Sequence, residues 1–77
     1  MGKNNLHLAN NLRKYRFEHN EMTQQELANK VGVSRLTIHS IEKGKFAPSI
    51  FLVLKIADIF KVKVEDIFYL NKNKKNI

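Results

Sequence analysis

Leu8, Leu12 and Tyr15 recur at helical spacing, with Arg13, Lys14 and Arg16 between and beside them, and predict a first helix from Leu6 to His19. Asn20-Glu21-Met22 breaks the pattern. The run Thr23-Gln24-Gln25-Glu26 fits a capping box, with Thr23 as N-cap and Glu26 reaching back to its amide. A second helix therefore begins there, buries Leu27, Ala28 and Val31, and stops at Gly32, which can take the left-handed conformation a tight exit needs. Ser34 caps a third helix, Arg35 to Lys43, closed by Gly44 with cations at the negative end of the dipole. After the loop Phe46-Ala47-Pro48-Ser49, a fourth helix runs from Ile50 to Phe60, and a short fifth from Val64 to Tyr69. The expectation is an all-α, compact five-helix domain over residues 6–70. A flexible arm at 1–5 precedes it. A basic tail at 71–77 follows, either frayed or forming a short strand at a dimer edge.

Seventy-seven residues hold one domain. A domain of this size buries only about 60% of its unfolded surface, so it needs a dense core, a staple or a partner subunit. The chain has no cysteine, which removes the disulfide staple. His7, His19 and His39 are too far apart in sequence for a local ligand pair, so neither a metal nor another cofactor is expected. The formal net charge of +7 favours a polyanion, either nucleic acid or an acidic membrane. No apolar run approaches the ~20 residues of a bilayer span, and Met1 to Asn5 has no signal-peptide character. A cytoplasmic protein without membrane attachment is therefore expected. There is no Gly-rich phosphate loop and no nucleophile grouped with a base, so no enzyme is read here.

Helices two and three are separated by three residues around Gly32, the spacing of a helix-turn-helix. Ala28 is small where the third helix must approach, Gly32 makes the turn, and Val33 plugs beneath it. At about 100° per residue, Ser34, Ile38 and Ile41 share the inward face of helix three. The opposite face carries Leu36, His39, Ser40 and Lys43, flanked by Arg35 and Thr37. A short polar face of this kind suits the major groove of DNA.

The pattern Thr23-Gln24-x-Glu26-Leu27-Ala28-x-x-Val31-Gly32-Val33-Ser34, then Ile38, Ile41-Glu42 and Gly44, resembles the Cro and phage-repressor group of regulators, the xenobiotic-response-element family. The resemblance continues through Phe46-x-Pro48-Ser49, Leu54-Lys55-Ile56-Ala57 and Val64-Glu65-Asp66-Ile67-Phe68. It is nearest to small single-domain members of the cytolysin-repressor type. One departure is an extra residue at Asn20-Glu21. The resemblance implies a lambda-repressor-like fold and a transcriptional regulator, more often a repressor, on double-stranded DNA. It places base contacts at Arg35, Leu36 and Ser40, with Thr37 and His39 nearby. Arg35 suits bidentate bonding to guanine. Leu36 is either a thymine-methyl contact or a plain surface leucine, and His39 either touches phosphate or is solvated. Phosphate contacts fall to Gln24, Ser34, Lys43, Lys45 and the Phe46 amide. Glu42 lies beside the inward face and needs a partner. The family pairs it with a helix-one arginine, here Arg16 first and Arg13 second, as a structural salt bridge.

Helix four is apolar almost all round, and more apolar surface follows near the C-terminus. A homodimer would cover the excess, as C2 pairing is the commonest assembly, and the resemblance implies the same, since small members of the family dimerise through their C-terminal helices. Phe51, Ile59, Ile67, Phe68, Tyr69 and Leu70 are the interface candidates. A rival reading is an interaction module such as an antitoxin that binds a toxin partner. A basic membrane-surface or RNA-binding peptide is a third reading, but it leaves the motif spacing unexplained.

Overall fold

The computed structural model describes residues 6–72. The elements are β1 (Leu6–Asn10), α1 (Leu12–Glu18), α2 (Gln24–Val31), α3 (Arg35–Glu42), α4 (Ile50–Phe60), α5 (Val64–Ile67) and β2 (Phe68–Lys72). The arm at 1–5 and tail residues 73–77 lie outside the described residues.

The three central helices start and stop where local chemistry dictates. Thr23 accepts the Glu26 amide at 3.0 Å, and the Glu26 carboxylate accepts the Thr23 amide at 2.8 Å, closing the capping box of α2. Ser34 and Ser49 accept the Thr37 and Leu52 amides, each at 3.2 Å, and start α3 and α4. Gly32 ends α2 with φ +77°, a left-handed residue that a Cβ would strain. Its amide and that of Val33 both donate to the Ala28 carbonyl. Lys55 reinforces this end, its ammonium donating to the Val31 carbonyl at 2.7 Å.

The first and last elements differ from expectation. The first helix begins at Leu12, not Leu6, and the fifth ends at Ile67, not Tyr69. Leu6–Asn10 instead pairs antiparallel with Phe68–Lys72, in a register that sets Leu8 opposite Leu70 and Asn10 opposite Phe68. The C-terminal strand, which the tail at 71–77 offered as an alternative to fraying, forms instead over Phe68–Lys72 and pairs with the N-terminal segment of its own chain. Each segment pairs the backbone groups of its inner edge with a partner at a distance in sequence that no helical window spans. Asn10 fixes the junction. Its Oδ1 accepts the Leu12 amide at 3.0 Å, and its Nδ2 donates to the Ile41 carbonyl at 2.9 Å, in the last turn of α3. The Asn11 amide donates to the Ile67 carbonyl at 2.8 Å.

The turn between α1 and α2 is made by two left-handed residues. Asn20 and Glu21 both adopt positive φ, +59° and +52°. The Glu21 and Met22 amides turn back onto the Phe17 and Arg16 carbonyls. Met22 is thereby delivered into the core.

Leu12, Leu27, Ala28, Ile38, Ile56 and Ile67 are fully buried, with Val31 and Ile41 almost so. These residues come from all five helices. Ile67 and Phe68 thus belong to this core, which corrects their expected place at a twofold interface: the chain's own helices already cover them. Ile59 is half-buried against the same core. Phe51, Tyr69 and Leu70 are exposed, as are Leu8, Ile50 and Leu54.

Asn10→Ala should destabilise the domain by about 1–2 kcal/mol, because it removes an amide cap and the bond to Ile41 together. Urea unfolding of wild type and variant measures the difference. An unchanged stability would show that the strand pair is not tied to α3 through this side chain.

Candidate nucleic-acid interface

The interface is built outward from α3. Ile38 and Ile41 sink into the core and fix the helix's rotation. With that rotation set, Arg35 and Leu36 are exposed, Leu36 by 63%, while Thr37, His39 and Ser40 are half-buried. Lys43, Lys45 and Phe46 stand exposed at the C-terminal end. The residues expected to read bases therefore occupy one continuous outward strip.

Behind the strip lies a polar network. The Arg16 guanidinium donates to both oxygens of Glu42, Nε to Oε2 at 2.6 Å and Nη2 to Oε1 at 3.0 Å. Its Nη1 donates to the Met22 carbonyl at 2.7 Å. The two side chains are only 12% and 9% exposed, so the pair is largely desolvated and its geometry is bidentate. Arg16 makes this pair; Arg13 stands exposed beside it. Gln24 continues the chain of bonds. Its Nε2 donates to Glu42 Oε1 at 3.1 Å, and its Oε1 accepts from Arg35 Nη1 at 3.1 Å. A salt bridge between α1 and α3 is thus connected through one amide side chain to the leading base-reading candidate.

The backbone-contact candidates fall in different places. Ser34 spends its hydroxyl on the α3 cap and on the Thr37 hydroxyl, 3.1 Å away. The Lys45 amide is taken by the Ser40 carbonyl at 2.9 Å, whereas the Phe46 amide makes no backbone hydrogen bond among the described residues. Two open clefts border the strip. One is lined by Leu36, Thr37, Ser40, Lys45 and Phe46. The other, of about 390 Å³, is lined by Arg13, Arg16, Gln24, His39, Glu42 and Lys43.

Sequence reasoning did not anticipate Arg13 at the wall of this surface, nor Asn10 holding the last turn of α3. Neither leaves a periodic signal. Both positions depend on how α1 and β1 dock against α3. Among the described residues no group of His, Asp and Glu is placed to hold a metal ion, and no helix is long and apolar enough to cross a membrane.

A short-turn helix pair with an outward polar strip defines a helix-turn-helix DNA-binding protein. Residues 12–67 match the model of the Helix-turn-helix family, and the chain belongs to that family of DNA-binding transcriptional regulators, which are not enzymes. An uncharacterized HTH-type transcriptional regulator of Methanocaldococcus jannaschii is 57% identical over 61 residues, spanning 79% of this chain and 91% of that protein. The crystal structure of the transcriptional regulator VanUg shares the fold, with a TM-score of 0.72, 20% identity, and coverage of 95% of this chain and 96% of that one. The solution structure of the SOS-response transcriptional repressor LexA from Eubacterium rectale matches with a TM-score of 0.67 and 34% identity, over 87% of this chain and 68% of that one.

Glu42→Ala should cost roughly 3 kcal/mol, because it strands a nearly buried guanidinium without its carboxylate. Thermal unfolding of the variant measures the cost. A midpoint equal to wild type would mean that the pair is solvated and contributes little.

Proposed function

We propose that this regulator is a homodimeric repressor that reads a palindromic operator through the major groove. The observation that carries the DNA-reading part is the outward strip of α3, presenting Arg35, Leu36 and Ser40 with Thr37 and His39 at its sides. In this reading Arg35 bonds to guanine, Leu36 meets a thymine methyl, and Ser40 discriminates weakly. Gln24, Lys43, Lys45 and the Phe46 amide hold phosphates, and the Phe46 amide, without a backbone partner among the described residues, suits that role. Ser34 acts there mainly by capping α3, so that its first-turn amides face the backbone. The repressor sense is favoured by likeness to a protein described as a repressor. A cytoplasmic location agrees with this function.

Dimerisation is favoured by the apolar surface the chain leaves uncovered. Phe51 is 67% exposed and Leu70 65%, with Tyr69 beside Leu70 on β2. Leu8, opposite Leu70, widens that face of the strand pair. Ile59 contributes only its half-exposed edge. Among the described residues both outer edges of the strand pair are also unpaired, an arrangement that invites a second chain. Two reading helices on a twofold axis would meet successive major grooves at half-site centres about 34–36 Å apart, or about 10–10.5 base pairs.

Duplex binding should fall about 10³–10⁵-fold between about 50 and 200 mM salt if the dimer contacts about 6–10 phosphates. Lys45→Ala should weaken all duplexes alike, whereas Arg35→Ala should relax preference at one base pair by about 1–3 kcal/mol. Titrations on a selected duplex and its scramble read both effects. The assignment fails if Lys45→Ala alters sequence preference and Arg35→Ala does not.

Phe51→Asp should give a folded monomer that binds a single half-site weakly. Sedimentation equilibrium with circular dichroism checks this. A wild-type protein that sediments as a monomer and protects one unrepeated half-site would overturn the dimer and leave the DNA reading in place.

A further inference from the structure

The two clefts beside α3 differ in chemistry, and that difference assigns a role to a residue outside the motif. With Leu36 at the centre of the outward strip, about 100° per residue places Thr37 and Ser40 on one side and Arg35, His39 and Lys43 on the other. The first side joins Lys45 and Phe46. The second joins Arg13 and Arg16 of α1 and Gln24 of α2. A helix seated in a groove about 12 Å wide has a phosphate backbone on each side of it. Each flank of α3 then faces one strand.

On the α1 side the cleft holds three permanent cations, Arg13, Arg16 and Lys43, against one carboxylate, Glu42. Both oxygens of Glu42 are already taken by Arg16 and Gln24. Arg13 sits one helical turn before Arg16, whose charge Glu42 already balances. The ion pairs among the described residues are Arg16–Glu42 and Lys61–Asp58, and neither engages Arg13. Its guanidinium is exposed and borders the same cleft as His39 and Lys43.

We infer that Arg13 binds a DNA phosphate, forming with Lys43 a second backbone grip on the strand opposite the one held by Lys45 and Phe46. The inference rests on α3 entering the major groove, as proposed above. Arg13 is a positioning residue in this scheme. It sets how the reading helix lies between the two strands, and carries no sequence information itself. The planar guanidinium can bond two phosphate oxygens at once, which a lysine at the same place would do only as a point charge.

The test uses a duplex recovered by the wild-type protein from a random pool, with a scrambled duplex beside it. Affinity is titrated against salt for wild type, Arg13→Gln, Arg13→Lys and Lys45→Ala, and phosphate contacts are mapped by ethylation interference. Arg13→Gln keeps the stem and removes the charge, and circular dichroism verifies its fold. The expected result is a log–log salt slope shallower by about 0.9 for each phosphate that Arg13 no longer neutralises. Both duplexes should weaken by the same factor, and Arg13→Lys should keep most of the slope. Interference should vanish at one phosphate per half-site, across the groove from the phosphate that Lys45→Ala releases. Unchanged slope and interference in Arg13→Gln, alongside a reduced slope in Lys45→Ala, would overturn the Arg13 assignment and leave the DNA-binding reading standing. A wild-type protein with flat salt dependence on every duplex would overturn both.

Discussion

The ion pair between Arg16 and Glu42 is the constraint on which the reading surface depends. It joins α1 to α3 across 26 residues of sequence, at 2.6 Å, in a place where water reaches neither side chain freely. Desolvating two charges is expensive, and the cost is recovered only by good geometry and further hydrogen bonds. Here the geometry is bidentate, the remaining guanidinium nitrogen bonds to the Met22 carbonyl, and Gln24 adds a donor to Glu42. A half-made version of this network would be worse than none, so the pair favours one relative placement of α1, α2 and α3. That placement also fixes where Gln24 holds Arg35.

Around this pair the apolar core supplies the stability and the turns supply the angles. Ile38 and Ile41 turn α3 so that its other side must face outward, and Ala28 lets α2 lie close beneath it. Gly32 is the one position between these helices where a left-handed backbone is used. The more distant turn at Asn20 and Glu21 takes two left-handed residues without glycine, a conformation that costs each of them some strain. Its product is useful: it seats Met22 in the core and presents the Met22 carbonyl to Arg16.

The strand pair changes how the small core is completed. A chain of this length has few residues to bury, and β2, which pairs with β1, begins at Phe68, itself a member of the core. Asn10 then fastens the pair to the last turn of α3. The reading helix is thus held at its start by Ser34, along its inner face by the core, and at its end by a side chain from the N-terminal strand. Such support gives a small domain a rigid element to present to a partner.

Much of this was legible in the amino-acid order. The starts of α2, α3 and α4 and the stops of α2 and α3 rest on caps and glycines within a few residues of each other, and their buried faces follow from helical spacing alone. The outward strip of α3 follows from the same arithmetic. The strand pair was not legible at Leu6–Asn10, and at its other half only as an alternative placed at 71–77, because a strand's hydrogen bonds go to a partner far along the chain. Leu8, Leu12 and Tyr15 satisfied a helical period that Leu6–Asn10 does not adopt. Burial of Ile67 and Phe68 was likewise decided by packing against the other helices and not by their own apolar character. The family resemblance raised two arginines as partners for Glu42. The packing of α1 against α3 chose Arg16 and left Arg13 at the wall of the neighbouring cleft. Local chemistry determined the helices and the face of α3, whereas contacts between segments distant in sequence decided which side chains surround that face.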